Sequence, residues 1–236
     1  MAYNQILMPE TAGTPGPATP EVAQRLAEVL NIEVQLVDAD SAKFLAELDH
    51  HPDSLVVMGA RGRSRAGGLL GELAEDVLHH TGQPIVLVGP HAFVSSDWPR
   101  GPLMLCSDGT PFAETMAIPS AAMAKSLGVE PRVVSVTSGP PRGACVDAST
   151  PTGSMSSLNG LVESIIGREV HCDLLHGTDP AAVIVEHAHW YGASLVALTT
   201  HSRTGLPRMR TGSIAMKVIN LARCPVLLKN PEPAAP

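Results

Sequence analysis

The sequence predicts an α/β protein in which mainly parallel strands alternate with helices, organised as two related halves. Short apolar runs alternate with longer amphipathic segments, the pattern typical of βαβ units. A long segment also occurs twice. "SLVVMGARGRSRAGGLLGELAEDVLHHTGQPIVLV" begins at Ser54, and "SLVALTTHSRTGLPRMRTGSIAMKVINLARCPVLL" begins at Ser194. Each copy has the pattern of a strand, a Gly/Arg-rich loop, a helix, a proline and a second strand.

The spacing of matching segments predicts that the first half is abridged. The copies are offset by 140 residues at Ser54 and Ser194, and by 141 after the loop. The segment "ILMPETAG", which begins at Ile6, aligns with "LMLCSDGT", which begins at Leu103, at an offset of 97. The first half is therefore 43 residues shorter, about the size of one βα unit. We expect an abridged domain at 1–92, a Pro/Ser/Gly-containing linker at 93–101, and a complete domain at 102–236.

The elements of the second domain follow from the same patterns. Gly128 closes one helix, and Asp179 or Thr178 caps another that has Pro180 in its first turn. The strands are predicted at Leu103–Ser107, Arg132–Thr137, Glu169–Leu175, Ser194–Thr199 and Pro225–Lys229, and the helices at Phe112–Leu127, Leu158–Ile166, Pro180–Tyr191 and from Ser213. The first domain offers strands at Gln5–Pro9 and Glu33–Val37, helices at Glu21–Leu30 and Ala42–Leu48, and the repeated segment.

Composition excludes several classes of function. The net charge is −7 and aromatic residues make up 3%, so the chain lacks the basic surface and stacking platforms of a general nucleic-acid-binding protein. No apolar run approaches the length of a membrane span, and the N-terminus lacks the pattern of a secretory signal. The four cysteines form no CxxC pair. We therefore expect a cytoplasmic protein with reduced, buried thiols rather than a metal or catalytic thiol.

Three motifs resemble the universal stress protein family. They are "SDGT" at 107–110, "RTGLPRMRTGSIAMKVI" at 203–219 and "CPVLL" at 224–228. The resemblance implies tandem flavodoxin-like (Rossmann-like) open parallel sheets flanked by helices, with the two domains paired as a pseudo-dimer through their last strands. It also implies a cytosolic stress-response regulator. Some members of this family bind ATP in the crevice at the carboxyl ends of the strands, where the sheet topology also places ligands.

The resemblance marks six candidate residues in the second domain. It implies that Asp108 contacts the adenosine, that the backbone of Val136 meets the adenine, and that Gly212 and Ser213 bind phosphate. Thr199 takes the place of the first family glycine, as Ser202 does of the second, and Arg203 adds positive charge. Each residue also has a purely structural interpretation. Asp108 suits a turn, Val136 a core position, Ser213 a helix N-cap and Arg203 a solvated loop.

The first domain is not expected to bind a nucleotide. Gly59, Gly62 and Gly71 are present, but Glu72 occupies the hydroxyl position and Thr11 the aspartate position. A carboxylate there repels phosphate, although it suits the first turn of a helix.

Two further hypotheses stand beside nucleotide binding. An interaction scaffold that binds no nucleotide is the main alternative. An enzyme such as a slow ATPase ranks last, because the sequence offers neither a metal-ligand set nor a nucleophile with a base. The expected partners are an adenine nucleotide, a second copy of the chain and an unidentified protein.

Overall fold

The computed structural model describes residues 3–10, 18–60, 70–137, 153–200 and 213–231. The strands are β1 (Gln5–Glu10), β2 (Glu33–Asp38), β3 (Ser54–Gly59), β4 (Ile85–Val88), β5 (Leu103–Cys106), β6 (Pro131–Thr137), β7 (His171–His176), β8 (Leu195–Thr199) and β9 (Val226–Lys229). The helices are α1 (Thr19–Leu30), α2 (Ser41–His50), α3 (Glu72–His80), α4 (Pro111–Glu114), α5 (Ala117–Leu127), α6 (Gly153–Ile166), α7 (Pro180–Trp190) and α8 (Ser213–Leu221). We call β1–β4 with their helices the N-terminal half and β5–β9 with theirs the C-terminal half.

All nine strands form one sheet, in the order β2-β1-β3-β4-β9-β8-β5-β6-β7. Every neighbouring pair is parallel except β4 and β9, which are antiparallel. The α/β class is confirmed, and the two halves join in one continuous sheet through β4 and β9. The reason is that each half ends in a short apolar strand, and an apolar edge gains stability when another strand covers it.

The pairing of β4 with β9 is centred on Val86 opposite Leu227. Val86 and Leu227 correspond at the offset of 141 residues, so the register maps each half onto the other through a pseudo-two-fold axis at this pair. The flanking pairs are Ile85 with Leu228 and Leu87 with Val226, and all of these side chains are fully buried. The predicted pairing of the two last strands within the chain is thus confirmed.

A second contact of the same symmetry follows β4 and β9. Asn230 comes directly after β9, and its side-chain Nδ2 donates a hydrogen bond of 3.0 Å to the carbonyl oxygen of Leu78 in α3. Its counterpart is Gly89, which lies so close to Ile219 in α8 that an added Cβ would overlap the Ile219 carbonyl oxygen. Each half therefore touches the equivalent helix of the other, once with a side chain and once with backbone.

Helices cover both faces of the sheet. One apolar cluster lies between the sheet and α1, α5 and α6, and the other lies between the sheet and α2, α3, α7 and α8. The strand order also shows what differs between the halves. The C-terminal half runs β7-β6-β5-β8-β9 and the N-terminal half β2-β1-β3-β4. Within the described residues, α6 and β7 have no counterpart in the N-terminal half.

The helix predicted at Phe112–Leu127 is divided in the structure, so that prediction was wrong. α4 ends at Glu114 and α5 begins at Ala117. Pro119 explains the break, because it has no N–H to donate to the carbonyl of Thr115 and its ring crowds that carbonyl. α6 begins at Gly153, earlier than the predicted Leu158.

The segment predicted as a linker, 93–101, packs against the C-terminal half. The Trp98 side chain is 9% exposed, and its Nε1–H donates to the carbonyl oxygen of Ser194 at 2.9 Å. The N–H of Phe93 donates to the carbonyl of Arg223. Val94 is also buried. The Pro/Ser/Gly composition correctly indicated irregular backbone, but two apolar side chains anchor it to the core.

Gly89→Ala should reduce the free energy of unfolding by about 1–3 kcal/mol, because the new methyl group meets backbone that cannot move aside easily. Gly160→Ala is the matched control. Gly160 lies in α6 with open space around the position of a Cβ, so the change should be neutral or stabilise by about 0.5–1 kcal/mol. Urea unfolding of both variants measures the difference. Equal stability of the two variants would contradict the close approach of Gly89 to Ile219.

Candidate functional site

The candidate site lies at the carboxyl edge of β5, β6 and β8. β5 leads to β6 through helices on one face, and β8 leads to β9 through α8 on the other face, so the strand order reverses between β5 and β8. Such a switch point opens a crevice for ligands in parallel α/β sheets. Asp108 follows β5, Val136 lies near the end of β6, and Thr199 ends β8. The structure therefore brings three of the six predicted residues to the same edge.

The other three predicted residues, Arg203, Gly212 and Ser213, come after β8 and run up to the first residue of α8. Ser213 is the first residue of α8 and is exposed. Because α8 connects two parallel strands, it runs back along the sheet and begins at the same carboxyl edge. Arg203 and Gly212 lie outside the described residues, as does Ser202. The start of a helix offers N–H groups and a partial positive charge to an anion.

Asp108 is exposed and forms a turn with the residues that follow it. Its Oδ1 accepts hydrogen bonds from the N–H of Thr110 at 3.1 Å and from the Thr110 hydroxyl at 2.6 Å. Gly109 has a φ of 77°, a conformation that glycine adopts at no steric cost, and its N–H donates to Ser107 Oγ. Thr110 in turn caps α4. The turn interpretation of Asp108 is thus realised, and the turn holds its carboxylate at the edge of the crevice.

Val136 combines a core side chain with backbone near the crevice. Its half-buried side chain packs against the cluster beneath α7, as the structural interpretation expected. Pairing of β5 with β6 ends at Cys106 and Val134, with the Ser107 N–H donating to the Val134 carbonyl. Val136 lies beyond that last contact, so β6 extends past the end of β5 and one side of its backbone faces the crevice.

Lys229, which the sequence analysis did not mark, lies at the same edge. It ends β9 opposite Thr199, and its carbonyl accepts from the N–H of Thr200 at 2.9 Å. Its Nζ donates to the carbonyl oxygen of Thr115 at 3.3 Å. That oxygen is the one that Pro119 leaves without a helical donor. Lys229 thus joins the last strand to the break between α4 and α5, and burial lowers the pKa of its ammonium group.

An ion pair fixes α8 beside α7 near the candidate site. Lys217 Nζ lies 3.2 Å from Asp179 Oδ2, and Asp179 also caps α7 by accepting from the N–H of Ala182 at 3.5 Å. The hydrogen bond from Lys217 lowers the pKa of Asp179. The start of α7 and the first turns of α8 are therefore tied together at the carboxyl edge.

The N-terminal half presents acidic groups at the corresponding helix. α3 begins at Glu72 after Gly71, and both Glu72 and Glu75 lie in its first turn. Carboxylates at this end stabilise the helix through its dipole, but they repel a phosphate. Gly59 ends β3, whereas Thr11 and Gly62 lie outside the described residues.

A second polar cluster lies away from this edge, towards the amino ends of β6 and β7. Arg132 donates two hydrogen bonds to Asp173, at 3.0 and 3.1 Å, and His187 Nε2 lies 3.2 Å from Asp173 Oδ2. The Arg132 guanidinium lies 4.4 Å above the ring of Tyr191. Burial opposes the charge of Asp173, but the hydrogen bonds from Arg132 and His187 prevail and lower its pKa. The sequence analysis missed this cluster, because its four members come from two strands and a helix end that only the fold brings together.

The described cysteines are unsuited to act as nucleophiles. Cys106 and Cys224 are buried and Cys172 is partly buried, all as free thiols. Burial raises the pKa of Cys106 and of Cys224 to about 12 and that of Cys172 to about 11, and a reactive cysteine needs a lowered pKa. Cys145 lies outside the described residues. In the described ranges, no three metal-binding side chains come together, and no helix has the length and apolar character needed to cross a bilayer.

Comparison with known proteins gives a consistent family. The model of the universal stress protein family matches residues 100–228, more than half of the chain. A universal stress protein of Mycobacterium tuberculosis is 26% identical over 211 residues, which are 84% of this chain and 69% of that protein. One of Methanocaldococcus jannaschii is 43% identical over 67 residues, 28% of this chain and 39% of that protein. A crystal structure of a universal stress protein from Archaeoglobus fulgidus shares the fold, with a TM-score of 0.63 and 21% identity over 97% of this chain and 88% of that chain.

The link between Lys229 and Thr115 can be measured with a double-mutant cycle. Lys229→Met keeps the apolar stem and should cost about 1 kcal/mol of unfolding free energy. In a Pro119→Ala background, the new N–H can donate to Thr115, so the cost should fall by about 0.5–1 kcal/mol. Urea unfolding of the four proteins gives the coupling. Lys125→Met is the control and should cost the same in both backgrounds; a coupling of zero for Lys229 would contradict the link.

Asp173→Asn should destabilise the protein at pH 7 by about 1–3 kcal/mol, because Arg132 loses a charged partner. The folded-state pKa of Asp173 is lowered, so the benefit of the carboxylate is complete above its unfolded value of about 3.9. That benefit is lost as the pH falls through the folded value. Urea unfolding should therefore show a gap between wild type and variant that narrows below about pH 4. Asp49→Asn, in the exposed pair with His80, should cost less than about 1 kcal/mol. A gap that stays constant down to pH 3 would contradict the assignment.

Proposed function

Because the chain belongs to the universal stress protein family, we propose that it is a cytoplasmic stress-response regulator whose C-terminal half binds an adenine nucleotide, with ATP as the expected ligand. The observation that carries the proposal is the meeting of Asp108, Val136, Thr199 and the start of α8 at one switch-point crevice. The proposal concerns binding, not catalysis.

Each group at the crevice has a role that suits its chemistry. The backbone of β6 at Val136, which lies beyond the last pair with β5, would meet the adenine edge, and the Asp108 carboxylate would accept a hydrogen bond from a ribose hydroxyl. The Ser213 hydroxyl and the first N–H groups of α8 would bind phosphate oxygens. Gly212 and Arg203 would complete the loop between Thr199 and α8. Asp108 would have to exchange at least one hydrogen bond from Thr110 for the ribose.

We also propose the tandem organisation, with an abridged domain at 1–92, a connecting segment at 93–101 and a complete domain at 102–236. The support is that equivalent features of the two halves are separated by the same numbers of residues as the repeated sequence segments. Asn31 and Gly128 are 97 residues apart, and each ends its helix in the left-handed conformation. α3 and α8 begin 141 residues apart. Self-association of the whole chain stays a prediction.

A specific observation favours the second candidate, an interaction scaffold that binds no nucleotide. The two hydrogen bonds from Thr110 already satisfy Oδ1 of Asp108. In addition, Thr199 and Ser202 replace glycines that would allow close approach of backbone to a phosphate. A scaffold needs neither a free carboxylate nor a glycine-rich loop.

Calorimetry with ATP separates the two candidates. If the crevice binds ATP, Ser213→Ala should weaken the affinity about 10- to 100-fold, since a hydrogen bond to a charged group contributes about 1.5–3 kcal/mol. Glu72→Ala, at the corresponding position of the N-terminal half, is the matched control and should leave the ATP affinity unchanged. Absence of ATP binding by the wild-type chain at millimolar concentration would favour the scaffold. Equal losses in the two variants would contradict the assignment to the C-terminal half.

A further inference from the structure

β2 is an edge strand whose counterpart in the C-terminal half is an interior strand. β2 and β6 correspond at the offset of 97, and β6 is covered by β7 whereas β2 pairs only with β1 among the described strands. The consequence is visible at Leu36, whose side chain is 55% exposed, while its counterpart Val133 is completely buried. The absence of an α6–β7 equivalent among the described residues thus leaves an apolar residue exposed on an open edge.

The helix part of this surface has become polar, whereas the strand part keeps the apolar Leu36 and an outer edge that pairs with no other described strand. In the C-terminal half, α6 packs against α5, where Ala121 is completely buried. The counterpart of Ala121 in α1 is Gln24, which is exposed and donates to Glu28 at 3.3 Å. A polar residue suits water rather than a packed helix. The surface therefore retains a seat for a strand and not for a helix.

The charge at the strand seat is reversed between the halves. In the C-terminal half, the interior strand supplies a cation, Arg132, and the added strand supplies the carboxylate of Asp173, next to His187. The counterpart of Arg132 is Gln35, and the counterpart of His187 is Glu47 at the offset of 140. Gln35 Nε2 donates to Glu47 Oε1 at 2.7 Å, and His51 Nε2 lies 3.1 Å from the same oxygen, so Oε2 is the oxygen that an incoming cation would meet. The seat beside β2 thus presents the carboxylate of Glu47, from α2, whereas the seat beside β7 presents the cation Arg132 from β6.

We propose that the open edge of β2 is a docking site for an extended segment of another protein, which adds to the sheet as a tenth strand parallel to β2. Addition of a strand gives affinity through the backbone and specificity through alternate side chains. The incoming segment would carry apolar residues on the side of Leu36 and a lysine or arginine at the place equivalent to Asp173, next to Glu47. The proposal does not rest on nucleotide binding, which concerns the other half.

A second copy of the chain is a poorer occupant of this edge. Two β2 strands paired antiparallel about their centre would place Glu33 of one copy opposite Asp38 of the other. Like charges directly opposite each other destabilise a pair of strands. Lys43 lies 2.6 Å from Asp38, and His51 Nε2 lies 3.1 Å from Glu47. The three carboxylates of Glu33, Asp38 and Glu47 nevertheless leave the edge acidic. The charge therefore favours a basic segment from a different protein.

The probes are two peptides that copy residues 169–177, the region of β7, with Cys172→Ser to prevent oxidation. One also carries Asp173→Lys, and the other keeps the aspartate. Fluorescence anisotropy with the full chain should show the lysine peptide binding at least about tenfold more tightly than the aspartate peptide, a difference of about 1.4 kcal/mol. Glu47→Gln in the protein should reduce that preference to less than about threefold, and Leu36→Glu should abolish binding of both peptides. Leu161→Glu, an exposed leucine on α6, is the control and should leave binding unchanged.

Three results would overturn the proposal. The first is that neither peptide binds the wild-type chain at about 1 mM peptide, a concentration at which even weak specific binding would be detected. The second is that both peptides bind with equal affinity, which would remove the argument from charge. The third is a dimer of the full chain in light scattering that becomes a monomer in Leu36→Glu. That result would mean that the edge binds a second copy of the chain. If Leu36→Glu has the same melting temperature as the wild type, its loss of peptide binding is due to the change at the edge and not to unfolding.

Discussion

The antiparallel pairing of β4 with β9 is the interaction on which the rest of the structure depends. Its residue pairs are buried and apolar, and they place two strands that would otherwise be edges at the centre of a nine-stranded sheet. Because the pairing is antiparallel, the carboxyl edges of the two halves face opposite ends of the sheet. The crevice beside Asp108 and the acidic start of α3 therefore belong to different ends of the molecule, and the two halves can diverge without interfering with each other.

The same pairing explains how the small N-terminal half remains folded. A small unit buries a smaller share of its surface than a large one, and this half contributes only four strands to the sheet. Its last strand, β4, pairs with β9, which thus acts as a fifth strand for this half. In addition, α1 of this half packs against α5 of the C-terminal half. The Asn230 amide adds a buried hydrogen bond to α3. These contacts give the N-terminal half buried surface that it shares with the C-terminal half.

The repeat made most of the fold predictable, and long-range contacts account for what was missed. Hydrophobic patterning and the repeat located the strands and most of the helices, because patterns within each segment reflect burial. The pairing of the last strands was implied by the family resemblance and by the apolar character of both strands. The family resemblance selected Asp108, Val136 and Thr199, and each lies at or just past the end of a predicted strand, which placed all three at one edge. By contrast, Pro119 breaks a helix and leaves the carbonyl of Thr115 without a helical donor. Lys229, which is far away in the sequence, donates to that carbonyl. Arg132 and Asp173 meet only because β6 and β7 are neighbours, and Trp98 anchors a segment whose composition resembles a loop.

The distribution of charge suggests that the two halves have separated their tasks. At the C-terminal crevice, Lys229 and the first turns of α8 present positive character, which suits an anionic ligand. In the N-terminal half, the corresponding helix begins with Glu72, and the edge strand β2, at the far side of this half, carries Glu33 and Asp38. The carboxylate at the start of α3 repels a phosphate, whereas the carboxylates of β2 attract a basic segment. On the two proposals, the C-terminal half would serve a nucleotide and the N-terminal half a protein partner, with β4 and β9 joining the two halves in one sheet.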